Sequence, residues 1–256
     1  MSVYGHIRRS LALLLISSGA FAANELDVRI TPSNAALKAN IEGYVGSLDG
    51  RDRQALRRLR RIVEGEADKA AQALGYYQAR IRSHVDEGEP PRLVLEVEPG
   101  ERVRLRTVDI RIEGPASDLA AFRVPSASRL QPGAVLNHGR YEDAKRLIQN
   151  QASRYGFFDG RFSRQSLLID PDAGVADIEL VFVSGPRYRL GDLSFTGDFP
   201  FDEALLRRMA PFEADTPYDS ELIAELYQAL QSSGYFESVR VDAIPTQADP
   251  QRIPVT

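Results

Sequence analysis

The sequence has no cysteine and no tryptophan among its 256 residues. Without cysteine there is no thiolate zinc site, no disulfide framework and no cysteine nucleophile. That absence also suits an exported bacterial chain that avoids mispairing. Histidine is scarce, and of the three present His6 falls in an N-terminal leader, leaving His84 and His138. Neither belongs to an H-E-x-x-H motif. Metal ligands come in clusters, so both read as surface or turn residues. G-x-S-x-G is missing, and with it the serine-hydrolase elbow. G-x-G-x-x-G and the phosphate loop are missing too. Asp170 and Asp172 suggest a calcium loop, but its twelfth position is Val181, where such a loop needs Glu. A turn is the better reading. Carboxylates converging in space would still permit glycosidase chemistry. Small repeated modules leave little room for a deep cleft, so the expectation is a non-enzyme with no cofactor and no metal.

What is present begins with a leader over residues 1–22. Arg8-Arg9 precede an apolar run from Leu11 to Ile16, and Ala20-Phe21-Ala22 forms an A-x-A cleavage site, the three parts of a secretory signal. Cleavage is expected before Ala23. The apolar run is too short for a membrane anchor, and no later stretch reaches the length and apolarity of a transmembrane helix. Removing the leader's two arginines leaves 30 bases against 36 acids, a net charge of −6. Nucleic-acid binding wants a basic face, so that partner class is set aside.

The rest of the chain is organised around one repeated stretch. Leu74-Gly75-Tyr76-Tyr77 returns as Tyr155-Gly156-Phe157-Phe158 and as Ser233-Gly234-Tyr235-Phe236, with the glycines 81 and then 78 residues apart. A glycine just past a helix takes the left-handed conformation that stops it. The two aromatics are expected to start a strand, where flat, stiff side chains pack well. Three copies of one module follow.

In the first module Leu26–Ile30 alternates as a strand. A short helix is expected over Ala35–Val45, and a longer one from about Asp52 to Leu74 with Leu56, Leu59, Ile62 and Val63 on one side. Strands follow over Gln78–Asp86 and Arg92–Val97. In the second, Val108–Ile112 is a strand, with a short helix near Asp118–Phe122 and a loop over 125–133. A helix over Tyr141–Tyr155 leads to strands over Phe158–Ile169 and Val175–Val183. In the third, Tyr188–Leu190 and Leu193–Phe195 are extended. Asp202 caps a short helix to Met209, and Thr216-Pro217 opens a helix to Gln231 with Pro at its first position. Strand residues Val239 and Val241 then precede a turn over 245–250. The closing strand, placed by the earlier offsets, opens at Ile253, so the natural protein is expected to continue beyond Thr256.

Three strand-helix-helix-strand-strand modules, each ending its long helix in Gly-aromatic-aromatic, resemble POTRA domains. The joins Glu98-Pro99-Gly100-Glu101-Arg102-Val103 and Val183-Ser184-Gly185-Pro186-Arg187-Tyr188 are similar to the PG-x-R-Y lead-in of such domains. The first module lacks it. Leu74–Ala79 and Gly156–Asp159 are most similar to the TamA family of outer-membrane assembly proteins. The resemblance covers residues 24–256. It implies an α+β fold with POTRA domains over 23–100, 101–186 and 187–256, each a three-stranded mixed sheet with two helices on one face. It also implies periplasmic placement, attachment to the outer membrane through a C-terminal β-barrel not included here, an inner-membrane-anchored TamB-like partner, and unfolded outer-membrane protein clients or autotransporters. No catalytic residue carries over. The POTRA region of a two-partner-secretion or main assembly barrel is the alternative, and a secreted enzyme a distant one; a run of amphipathic segments of about ten residues downstream would mark the barrel. The joins are short, so restricted hinging is expected.

An exposed sheet edge must be blunted or used, and a client strand can add to one through backbone hydrogen bonds. The resemblance places the post-glycine strand at the edge. Candidate partner-binding residues are therefore Gln78, Ala79, Arg80, Ile81, Arg161, Phe162, Val239 and Val241. Arg51, Arg53, Arg57, Arg58, Arg60 and Arg61 form a second feature. Either Glu64, Glu66 and Asp68 neutralise a solvated helix, or Arg57, Arg58 and Arg61 face an anionic partner, lipid headgroups or an acidic protein surface.

Overall fold

The structure is a computed structural model that describes residues 25–123, 130–197, 199, 202–246 and 251–256. The leader and its cleavage site lie outside the described residues, as do 124–129 of the expected loop and 247–250 of the last turn. The chain divides into two compact units, one running through Ala67 with Ile81–Val97, the other Asp68–Arg80 with Glu98–Thr256.

The first unit is built on β1 (Leu26–Ile30), α1 (Ala35–Val45), α2 (Arg53–Ala73) as far as Ala67, β2 (Arg80–Val85) from Ile81 and β3 (Leu93–Glu98) to Val97, in sheet order β1-β3-β2. β1 runs parallel to β3 from Leu26↔Leu93 to Ile30↔Val97. Parallel neighbours need a crossover, which α1 and α2 supply. Asn34 starts α1 by accepting the Leu37 N–H at 3.0 Å, and Asp52 starts α2 by accepting that of Ala55 at 2.6 Å. Buried Glu25 holds the loop between the helices, its carboxylate accepting the N–H groups of Gly50 and Arg51 at 3.0 and 3.1 Å. Leu26, Val28, Leu37, Ile41, Leu56, Val63, Leu93 and Leu95 are buried. Ile62 departs from the expectation: it is 61% exposed. Buried positions on α2 recur at 56, 63, 67, 70 and 71, and 62 lies about 100° around the helix from 63.

The second unit holds β4 (Arg104–Glu113), α3 (His138–Arg154), β5 (Arg161–Asp170), β6 (Val175–Val183), β7 (Arg189–Leu193), α4 (Glu203–Arg207), α5 (Ser220–Ser232) and β8 (Arg252–Val255). One sheet has the order β4-β6-β5, with β4 parallel and β5 antiparallel to β6. Ala176, Ile178, Leu180 and Phe182 alternate into the core, which they share with Tyr141, Ala144, Ile148 and Ala152 of α3. Asp177 and Glu179 occupy the other face, paired with Arg106 and with Arg111 and Arg164. The Arg106 and Thr107 hydrogen bonds hold the Asp177 carboxyl down at about 2.

Three expectations fail here for local reasons. Instead of a helix over Asp118–Phe122, a 3₁₀ turn spans Pro115–Asp118, anchored by the Ala116 N–H on Ser184 Oγ at 3.3 Å; Leu119 already has extended backbone. Pro217 does not open α5. The Leu190 N–H bonds Thr216 O and the Tyr218 N–H bonds Tyr188 O, at 2.8 and 2.9 Å, which keeps 216–218 extended beside β7. Asp219 caps the helix instead. Val239 and Val241 lie in no strand. They pack on the third core, but the only ladder contact there among described residues is Ala243↔Val255 with two bonds between Asp242 and Thr256. An antiparallel register would set Val241 and Val239 opposite positions past Thr256. The third sheet is thus two-stranded, β7 parallel to β8.

The repeated glycines do stop helices in left-handed backbone, with φ of 92° at Gly75, 79° at Gly156 and 72° at Gly234. The aromatics after them do not start strands. Tyr76–Ala79 and Phe157–Gly160 form a turn, and the strands begin at Arg80 and Arg161. The Tyr76 N–H reaches back to Ala71 O at 3.0 Å and that of Phe157 to Ala152 O at 2.8 Å, the six-to-one bond of a Schellman cap. Gly75 and Gly156 are also where the following segment docks. The Val103 N–H donates to Gly75 O at 2.9 Å, and the Tyr188 N–H to Gly156 O at 2.8 Å. One residue earlier, Arg102 Nε donates to Leu74 O at 2.8 Å and Arg187 Nε to Tyr155 O at 3.0 Å. A Cβ on Gly75 would lie 2.6 Å from Leu136 O, and one on Gly156 2.7 Å from Tyr218 Cβ. The glycine is required twice, by its φ and by the closeness of the docked chain.

Candidate partner-binding surfaces

Backbone direction decides which strand can accept another. In the first sheet the Leu93 N–H bonds Glu25 O and Val97 O accepts the Thr31 N–H, so odd residues of β3 face β1. Even ones face β2, as the bond from Asp86 N–H to Arg92 O shows. Alternation then turns the backbone of Ile81, Ser83 and Val85 outward. The middle of that edge is closed. The Ser83 N–H and hydroxyl donate to Glu64 Oε1 at 3.1 and 2.6 Å, and its carbonyl accepts Arg60 Nη2. Two side chains of α2 cover the outward pair in a way that blunts an edge strand.

β5 is different. Ser184 N–H donates to Glu113 O at 2.9 Å, so even residues of β6 face β4 and odd ones face β5. The odd ones pair with Arg161, Arg164, Ser166, Leu168 and Asp170, with a bulge between Phe162 and Arg164. Gln165, Leu167 and Ile169 therefore turn their backbone outward, and among the described residues no side chain bonds to it. Leu168 stands 67% exposed on the polar face, while Phe162, Leu167 and Ile169 pack on the core.

The sequence-derived residues separate accordingly. Gln78 and Ala79 are in the turn, not the strand, and the Gln78 amide donates to Pro171 O at 2.9 Å. Arg80 faces β3 and reaches Glu98 at 3.9 Å, and Ile81 is outward. Arg161 faces β6, and Phe162 is a core residue in edge contact with Phe182. On α2, Arg53 pairs with Glu89 and Arg60 with Glu64. Arg57, Arg58 and Arg61 are exposed and make no hydrogen bond or ion pair with the described residues. Among the described residues two of the six arginines thus pair with a carboxylate, and only Arg60 does so with one of the three acids expected.

His138 is not the surface or turn residue expected. It is the first residue of α3, half-buried, with Nε2 2.6 Å from the Tyr77 hydroxyl. Burial moves both groups toward their neutral forms, the imidazole down and the phenol up, while Glu142 pulls the imidazole back. Burial also lowers the Arg187 guanidinium, opposed by the Asp219 charge. Sequence reasoning missed the parts played by Arg60, Glu64, Arg102 and Arg187. For the last two the signal was there, as the R of the repeated G-x-R lead-in. For the first two there was none, because Ser83 lies 19 residues beyond Glu64. No helix of the described residues is long and apolar enough to cross a membrane.

Comparison with known proteins follows the same lines. The family description "POTRA domain TamA domain 1" matches residues 27–99, and POTRA, "Surface antigen variable number repeat", matches 106–185 and 188–256. The outer membrane protein assembly factor BamA of Neisseria meningitidis is 21% identical over 183 residues, covering 70% of this chain and 23% of that protein; the chain therefore spans under a quarter of that relative. The crystal structure of Haemophilus influenzae BamA POTRA3-5 has 17% identity and a TM-score of 0.47, over 90% of this chain and 93% of that one. CdiB from Escherichia coli has 17% identity and a TM-score of 0.32, over 82% and 35%. With the family description covering more than half of its length, the chain belongs to the POTRA family.

Proposed function

We propose that this chain is the periplasmic region of a TamA-type outer-membrane assembly or translocation protein, organised as domains 23–100, 101–186 and 187–256. Its second domain takes up client β-strands along β5. The match of residues 27–99 to the first TamA domain supports the assignment. The observation that carries the activity is the outward, uncovered backbone of Gln165, Leu167 and Ile169, against the covered Ser83 of β2. Added strands take affinity from main-chain bonds and little specificity from sequence, which suits a varied client set.

The test is hydrogen exchange of the chain with an amphipathic strand peptide from an outer-membrane barrel. Slowed exchange is expected over residues 161–170 and not over 80–85. Gln165→Pro removes an outward donor without touching the ladder to β6, a substitution edge strands tolerate. It should weaken peptide binding about tenfold, the equivalent of one or two backbone bonds, with unchanged thermal unfolding. Arg60→Ala with Glu64→Ala should open β2 and bring new protection to it. Protection that ignores β5, or binding indifferent to Gln165→Pro, would remove this reading.

A second contact is proposed for the basic face of α2. Arg57, Arg58 and Arg61 stand without carboxylate partners beside exposed Ile62, a combination suited to an anionic surface such as lipid headgroups or a TamB-like partner. Reversal of all three to Glu should abolish cosedimentation with vesicles containing anionic lipid. Unchanged sedimentation, or none by the parent chain, would rule out the lipid.

A further inference from the structure

The two filled joints have a third counterpart. At the first, Leu74 O accepts Arg102 and Gly75 O accepts the Val103 N–H; at the second, Tyr155 O accepts Arg187 and Gly156 O accepts the Tyr188 N–H. Both arginines also lie over an aromatic ring of the corner, Arg102 over Tyr76 at 5.3 Å and Arg187 over Tyr155 at 6.0 Å. Gly75 and Gly156 are buried by what docks on them. Gly234 repeats the sequence position and the left-handed backbone, φ 72°, but is exposed, with nothing within 4 Å of where a Cβ would stand. Among the described residues nothing donates to the carbonyl of Ser233 or of Gly234.

We propose that the Ser233–Gly234 corner is a docking site for a Gly-x-Arg segment followed by a hydrophobic residue, as Val103 follows Arg102 at the first joint and Tyr188 follows Arg187 at the second. The guanidinium donates to Ser233 O and the next N–H to Gly234 O, as at the two filled joints. The occupant is specified by chemistry seen twice in this molecule. A planar guanidinium presents several donors at fixed angles, and a helix end offers carbonyls that lack intrahelical partners. A lysine-bearing or acidic segment does not reproduce the pair. The site is separate from β5 and stands whether or not client strands bind there.

Register supplies the experiment. Arg189↔Arg252 and Leu190↔Ile253 in the third sheet correspond to Arg104↔Val175 and Leu105↔Ala176 in the second. Thr256 therefore stands where Glu179 does. A chain with residues 180–190 copied directly after Thr256 continues β8 in register and delivers a second Gly185-Pro186-Arg187-Tyr188 to the corner. The copied Tyr188 amide should exchange slowly. With Arg187→Ala in the copy it should exchange about tenfold faster, the loss of one charge-assisted bond. A second arm titrates the unaltered 256-residue chain with the peptide Ser-Gly-Pro-Arg-Tyr-Arg-Leu. The amide resonance of Gly234 should shift while those of Gly75 and Gly156 stay, and a peptide with Ala for its first Arg should leave all three in place. Equal behaviour with and without the arginine in both arms overturns the proposal, as does an extension that stays unprotected together with a peptide that shifts nothing.

Discussion

Gly75→Ala and Gly156→Ala are each expected to destabilise the unit spanning Asp68–Arg80 and Glu98–Thr256 by about 3 kcal/mol, and Gly234→Ala by only about 1 kcal/mol. The three positions share a sequence context and a φ between 72° and 92°, so the strain of left-handed backbone, about 1–2 kcal/mol for an L-residue, is common to them. What differs is the neighbour. At Gly75 the new methyl meets a backbone carbonyl at 2.6 Å and at Gly156 the Tyr218 Cβ at 2.7 Å, both anchored to main chain; at Gly234 it meets nothing. Displacing a packed segment adds about 1–3 kcal/mol. Urea unfolding of the three variants checks this. Equal losses at all three would mean that only backbone strain matters and that the joints are not tightly docked.

Arg187→Ala is expected to cost about 2–3 kcal/mol, the range for hydrogen bonds from a charged group together with carbonyls left without a donor. Nε and Nη2 donate to Tyr155 O and Tyr218 O at 3.0 and 3.1 Å, tying the end of α3 to the residue just before the cap of α5. Arg187→Lys should recover less than half, because one ammonium cannot span two carbonyls with a fixed fork. Arg164→Ala is the control. Its partner Glu179 is also bridged by Arg111, and both arginines are more than half exposed. Surface pairs of that kind contribute about 0–1 kcal/mol. A loss at Arg187 no greater than at Arg164 would show that the joint is held by its backbone bonds alone.

Local order was legible where a single segment carries its own instructions. Ala35–Val45 has an asparagine to start it and a glycine to stop it, and Val175–Val183 alternates as far as Leu180 and then continues as an apolar run. Both elements have the bounds their patterns give. Local reasoning failed where a distant chain competes for the same groups. Pro217 reads as a helix start, but Leu190 and Tyr188 use the neighbouring backbone groups for a bridge to β7. Tyr76–Tyr77 and Phe157–Phe158 read as strand starts, but the Schellman caps and the docking of Val103 and Tyr188 hold them in turns. Ile62 fits a helical stripe within its error of one position and still points to water.

The same division holds for the candidate surfaces. The sequence by itself determined the repeat and the left-handed glycines, since periodicity, caps and spacing are properties of consecutive residues, while the edge position of the post-glycine strand in the first two sheets came from the family resemblance. Only the tertiary structure decided which edge is open. Ser83 and Gln165 are both polar residues on outer strands whose backbone turns outward, and nothing in their own segments tells them apart. Arg60 and Glu64 reach Ser83 because α2 lies alongside β2, whereas no described side chain reaches Gln165. Hydrogen bonds act over about 3 Å, so coverage depends on which helix face the packed core turns toward the strand.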